Sequence, residues 1–176
     1  SPTSSALAQQ PDACDVPSYF VSGDAELKRV AAAVKMMKRL DIAVLGTGSS
    51  ALGGADGAAR AYPARLQAAL ERRLPGVTVN VVSQAKMRQT TADMVKTLDK
   101  LLVDVKPVLV LWQTGTFDAM RGIEPEDFRS TLDDGVETLQ ARNADVVLIN
   151  MQYSPRTESM IQFSAYADSM RVVARD

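Results

Sequence analysis

The chain has 176 residues, 46% of them apolar and 23% charged, with a net charge of −1; this suffices for one domain with a substantial core and gives no reason to expect nucleic acid or an anionic membrane as a partner. It holds no histidine and a single cysteine, Cys14, so it cannot supply an imidazole–thiolate zinc site or histidine acid–base chemistry. No apolar run approaches the roughly 20 residues of a membrane-spanning helix.

Residues 1–20 read as a flexible leader, with Pro2, Pro11 and Pro17 and no periodicity. Within it, Ala6-Leu7-Ala8 fits the small-x-small pattern of signal cleavage, so the protein is expected to be periplasmic or secreted. The domain itself is expected over 21–176. From Gly23, the residues Leu27, Val30, Ala31, Val34, Met37 and Leu40 recur at helical spacing, with Ser22 or Asp24 as the cap. Ile42 to Gly46 reads as a buried strand that empties into a loop of Gly and Ser. The next helix is expected to wait until about Ala61, with Pro63 in its first turn and Leu66, Ala69 and Leu70 on one face.

Val77 to Val82 forms the second predicted strand, Val108 to Trp112 the third and Val146 to Met151 the fourth. Helices are predicted over Thr91–Leu102, Glu126–Arg142 and Thr157–Ala174. Such alternation implies right-handed crossovers and a parallel sheet, with function at the carboxyl ends of the strands. Those ends are Gly46–Ser50, Ser83–Arg88, Gly115–Asp118 and Gln152–Ser154.

Gly46-Thr47-Gly48-Ser49-Ser50-Ala51 satisfies the dinucleotide fingerprint G-x-G-x-x-G/A. Two features oppose a nucleotide-binding module. The helix is not expected to start inside the motif, and the second strand ends in neutral Ser83-Gln84, where a ribose-binding acid is needed. Ser83 to Lys86 matches S-x-x-K without its companion motifs. Lys86, Arg88, Arg121 and Arg156 lie near strand ends; they read as a solvated cationic rim or, alternatively, as a pocket for an anionic or acylated ligand. Met94, Met120, Met151 and Trp112 read as core or pocket lining.

Four stretches, "DIAVLGTGSSALGG", "AYPARLQAAL", "VVSQAKMRQTTADM" and "LVLWQTGTFDAM", together resemble the SGNH/GDSL hydrolase family over about residues 41 to 160. The resemblance implies a flavodoxin-like three-layer α/β/α fold, with four strands here and a fifth beyond residue 176. In active members it implies a serine esterase. The family's nucleophilic serine falls on Gly48, its oxyanion-binding glycine on Arg88 and its oxyanion-binding asparagine on Phe117. Its Asp-x-x-His segment is not found within these residues. Asp118 matches the aspartate that serves structure in the third motif.

Loss of one oxyanion donor costs about a hundredfold to a thousandfold in turnover, and loss of a nucleophile or its base on the order of a millionfold. The expectation is therefore a non-catalytic protein that binds a small acyl or carbohydrate ligand, or a protein partner, in the cleft. That cleft would be lined by Thr47, Ser49, Ser50, Lys86, Thr116, Asp118 and Tyr153, without metal or cofactor. The alternative is a working esterase or carbohydrate acetylesterase that uses Ser49 and a histidine from outside this chain.

Overall fold

Arg39 to Gly46 alternates almost nothing and buries almost everything, as a central parallel strand must when both faces are covered. A computed structural model describes residues 25–152 and 154–175. The leader, Cys14 and Tyr153 lie outside the described residues. The central strand, β1, pairs in parallel with β2 (Thr78–Ala85) on one side and with β3 (Leu109–Gln113) on the other. Strand β4 (Asp145–Ile149) pairs with the far side of β3, giving the order β2-β1-β3-β4. Leu45 is level with both Gln84 and Trp112, so three strand ends finish together at one end of the sheet.

The helices are α1 (Lys28–Ala32), α2 (Gly48–Ala51), α3 (Gly57–Arg60), α4 (Tyr62–Arg73), α5 (Thr91–Val95), α6 (Leu98–Asp104), α7 (Thr116–Met120), α8 (Pro125–Ala141), α9 (Pro155–Glu158) and α10 (Phe163–Val173). They cover both faces of the sheet. On one face Ala43, Leu45, Val110 and Trp112 pack against Met94, Leu98 and Leu101, Phe128 and Leu132 of α8, and Tyr166 and Met170 of α10. On the other, Leu40, Ile42, Val79 and Leu109 meet Val30 and Val34 near α1, and Leu70 and Leu74 at the end of α4. The period-two split of β1 and β3 between two cores makes this the expected three-layer α/β/α fold.

Trp112 is fully buried and its indole packs against α8, where a Cβ on Gly135 would come within 2.5 Å of the ring. Its Nε1 donates to Met94 Sδ at 3.1 Å. The larger core thus depends on a glycine in mid-helix, which sacrifices helix propensity for contact with the ring.

Several boundaries differ from the sequence reading. Helix α1 starts at Lys28 behind Leu27, which offers no side-chain cap; the cap comes from a distant residue. Asp145, at the start of β4, accepts from the Arg29 and Val30 amides at 2.9 and 3.0 Å and from the Arg29 guanidinium at 3.3 Å. The helix ends in a π turn (Ala33–Met37) and a left-handed Lys38, so Leu40 belongs to the strand. Strand β2 runs three residues past Val82 because its pairing with β1 continues through Gly46. The predicted helix 91–102 breaks at Lys96-Thr97, where the Thr97 hydroxyl donates to the Met94 carbonyl at 2.7 Å. The last predicted helix is likewise two, α9 and α10.

Candidate active-site cleft

The turn after β1 is built around glycine. A Cβ on Gly46 would sit 2.4 Å from Ser50 Oγ, so only glycine lets the chain fold back this tightly. Contrary to the sequence reading, a helical turn, α2, does begin inside the G-x-G-x-x-A motif. It lasts one turn and stops at Leu52, with φ +43°. The long helix α4 starts at Tyr62, as expected.

Ser50 is 1% exposed and donates to Gln113 Oε1 at 2.7 Å. Ser49 donates to the same oxygen at 3.2 Å, and its Oγ lies 3.3 Å from Thr47 Oγ1. Gln113, the last residue of β3, thereby ties the first strand end to the third. Nearby, the Tyr62 hydroxyl is buried and makes no hydrogen bond. Burial pushes its phenol up.

A second network locks the third strand end to the loop after β2. Asp118, 2% exposed, accepts from the Thr91 amide at 3.0 and 3.1 Å and from the Thr91 hydroxyl at 3.1 Å. Because Thr91 Oγ1 donates to the carboxylate, the Thr114 hydroxyl, 2.7 Å away, donates to Thr91. Burial raises the Asp118 carboxyl above the ordinary range, and the hydrogen bonds from Thr91 oppose that rise. Thr90 and Asp93 form a reciprocal capping box that opens α5 just before this network.

The three positions matched to the family's reacting groups can now be placed. Gly48 sits in the first turn of α2, where a Cβ would lie 3.1 Å from Met87 Cγ. Its φ lies outside the left-handed region, so the backbone does not demand glycine there. Arg88 has φ +58°, the conformation a glycine would adopt without strain. Phe117 is half-buried in α7, and the Arg121 guanidinium lies 5.8 Å from its ring centre. A phenyl ring offers no N–H to a developing oxyanion.

A cleft of about 400 Å³ opens over these strand ends, lined by Thr47, Ser49, Gln113, Thr116, Met151, Gln152, Ser154, Thr157 and Phe163. Of the expected lining residues, Thr47, Ser49 and Thr116 are on its wall. Ser50 and Asp118 are buried behind it, because each is consumed by a hydrogen bond that holds the loops. Lys86 is exposed and off the wall, since β2 continues through Ala85 and lifts the residue clear. Met94 and Trp112 are core and Met151 lines the cleft, but Met120 is 60% exposed rather than inside.

Gln113 is the functional side chain that the sequence reading passed over. Its signal was available, as a polar residue directly after the apolar run Leu109–Trp112 at a strand's carboxyl end. Gln152, Ser154, Thr157 and Phe163 come from the segment after β4 and join the wall only through tertiary folding.

Chemically, the cleft presents hydroxyls and amides between two apolar walls, Met151 and Phe163, and among the described residues no charged side chain lines it. Ser49 and Ser50 donate to an amide oxygen, which does not take up a proton at neutral pH. Among the described residues, no three His, Cys, Asp or Glu side chains cluster to hold a metal, and no helix is long and apolar enough to cross a membrane.

Comparison with known proteins places this geometry. Esterase TesA of Pseudomonas aeruginosa is 31% identical over 90 residues, covering 50% of this chain and 45% of the esterase, so the chain matches less than half of that relative's length. A crystal structure of TesA superposes with a TM-score of 0.68 at 28% identity, over 76% of this chain and 72% of that one. AlinE4, an SGNH-hydrolase family esterase, superposes with a TM-score of 0.65 at 24% identity, over 77% and 71% of the two chains. That last likeness speaks to fold alone. A model of the non-GDSL lipase-like family matches residues 13–176. As that model spans nearly all of the chain, and the three-layer fold agrees with that of the SGNH esterases, the chain belongs to the non-GDSL lipase-like family.

Proposed function

We propose that this is an exported binding protein whose strand-end cleft holds a neutral acyl or carbohydrate group without cleaving it. One observation carries the reading: both serine hydroxyls at the first strand end donate to Gln113 Oε1. A nucleophile needs a base at that place, and the 176 residues contain no histidine. Gly48 and Phe117, at the matched nucleophile and amide-donor positions, support the same conclusion. The wall of hydroxyls and amides flanked by Met151 and Phe163 suits a polar, uncharged ligand with an apolar substituent. Export rests on Ala6-Leu7-Ala8 alone.

A second reading is favoured by one fact, that the named relatives are esterases. Ser49 Oγ reaches the cleft and would attack an acyl carbon if a base from outside this chain accepted its proton. The two readings part in one experiment. Hydrolysis of a short acyl ester is measured at high protein concentration for the wild type and Ser49→Ala, alongside calorimetric titration with an acetylated xylo-oligosaccharide. Binding without turnover supports the first reading. Turnover that disappears in Ser49→Ala overturns it.

A further inference from the structure

We propose that the strand-end face of the molecule seats on an anionic phospholipid surface, with the cleft opening toward it. The proposal concerns the rim, not the cleft's chemistry, and holds under either reading of Ser49.

Four large apolar side chains are exposed in the segments that follow the strands, one after each strand. Leu52 follows β1 and is 47% exposed; Met87 follows β2 at 73%, Met120 follows β3 at 60% and Met160 follows β4 at 77%. In a parallel sheet these four segments emerge at the same end. Apolar side chains gathered around an opening mark an interaction surface. Three of the four are methionines, whose flexible thioethers adapt to an irregular partner.

Cations accompany these side chains. Lys86 and Arg88 flank Met87, Arg121 follows Met120, and Arg156 lies one helical turn before Met160. Among the described residues none of the four is in an ion pair; the Arg121 guanidinium lies over Phe117 instead. Asp93, which feels the charge of Arg121, is held by the Thr90 amide and hydroxyl and paired with Lys96. Asp56, Glu124 and Glu158 share these segments with the buried Asp118, and Arg60 joins the four cations, so five cations face four acids and the rim is slightly net positive although the chain carries −1. Whole-chain charge hid this because the excess acids lie elsewhere. The four apolar tips stand on separate segments around an open cleft rather than on one continuous face. A fluid acyl layer accommodates that arrangement better than the rigid face of an acidic protein.

The test is co-sedimentation of the full chain with vesicles of phosphatidylcholine, with and without phosphatidylglycerol. The protein is expected to pellet with the mixed vesicles and to be released by high salt, because the attraction is screened. K86Q, R121Q and R156Q should each weaken binding about fivefold. The triple variant M87Q/M120Q/M160Q should lose most of it while its thermal midpoint is unchanged, since all three side chains are exposed. Failure to pellet at low salt overturns the proposal, as does wild-type pelleting by the methionine variant. Retention on soluble polyglutamate equal to that on mixed vesicles also overturns it, in favour of an acidic protein partner. Assays with soluble esters read the cleft and leave this result untouched, so the two readings fail separately.

Discussion

At the end of β3, Asp118 stands where the family has its structural aspartate and grips the Thr91 amide and hydroxyl. At the end of β1, Gly48, which the resemblance matches to the family's nucleophile, has no side chain, and a Cβ there would lie 3.1 Å from Met87 Cγ. The same division runs through all three matched motifs. Gly46, Gly115 and the left-handed position 88 have the backbone the turns require, whereas positions 48 and 117, matched by resemblance to the reacting groups, carry a glycine and a phenylalanine. The fold and the chemistry of this motif are therefore carried by different residues. One set can be present without the other because the strand-end loops are held by buried hydrogen bonds that do not involve the reacting groups.

If that division is real, substitutions in the holding set should cost stability and those in the reacting set should cost almost none. The largest effect is expected where the third strand meets α8. Trp112→Ala should destabilise by about 3–5 kcal/mol, the usual range for removing a fully buried large aromatic, read as a shift in urea midpoint. Gly135 lies against the ring and leaves nothing that could move in to fill the space. A loss under 1 kcal/mol would show that this core is not what positions the cleft.

Next comes Asp118. Asp118→Ala strands the buried Thr91 amide and hydroxyl and should cost about 1–3 kcal/mol. The carboxyl has a pH signature as well. Because burial raises it in the folded state, the native protein still holds that proton at a pH where the unfolded chain has released it. The native state then binds more protons, so this group's contribution to stability is full below the unfolded value and is lost as pH rises through the folded one. Asp118→Asn should flatten the fall in that window. An unchanged pH profile would mean that the hydrogen bonds from Thr91 balance burial.

The reacting set should behave otherwise. Gly48→Ser restores a hydroxyl at the nucleophile position, with only Met87 required to give by a few tenths of an ångström. Stability should change by under about 0.5 kcal/mol, and hydrolysis of a short acyl ester should stay at the uncatalysed rate, since no base adjoins the new hydroxyl. Turnover above the wild type in this variant would mean that a base is within reach.

The sheet, its order of elements and the face that bears function were legible because burial imposes its own pattern. Ile42 to Leu45 and Val108 to Trp112 are apolar without a break, which a two-sided parallel strand requires. What escaped was decided by partners distant in sequence. Asp145 caps a helix more than a hundred residues earlier, Thr97 breaks a run whose periodicity alone reads as continuous, and Lys86 leaves the cleft because strand pairing reaches Ala85. In the cleft, Gln113 mattered more than the serines that drew attention. An amide is informative only when what it accepts from is known, and Ser49 and Ser50 lie more than sixty residues away.

A modest effect is expected at Arg88, and it tests the division most directly because it separates backbone from side chain. Arg88 holds φ +58°, a region that costs a side-chain-bearing residue about 1–2 kcal/mol. Glycine removes that strain but loses roughly 0.5–1 kcal/mol of chain entropy, so Arg88→Gly should gain between nothing and about 1.5 kcal/mol. Arg88→Ala keeps the strain and removes the same charge. Both variants lose the same rim cation, so any difference between them in thermal midpoint belongs to the backbone. Arg88→Gly should be the more stable of the two. Equal midpoints would mean that the loop after β2 does not require a left-handed residue, and the match between Arg88 and the family's glycine would then rest on alignment rather than on conformation.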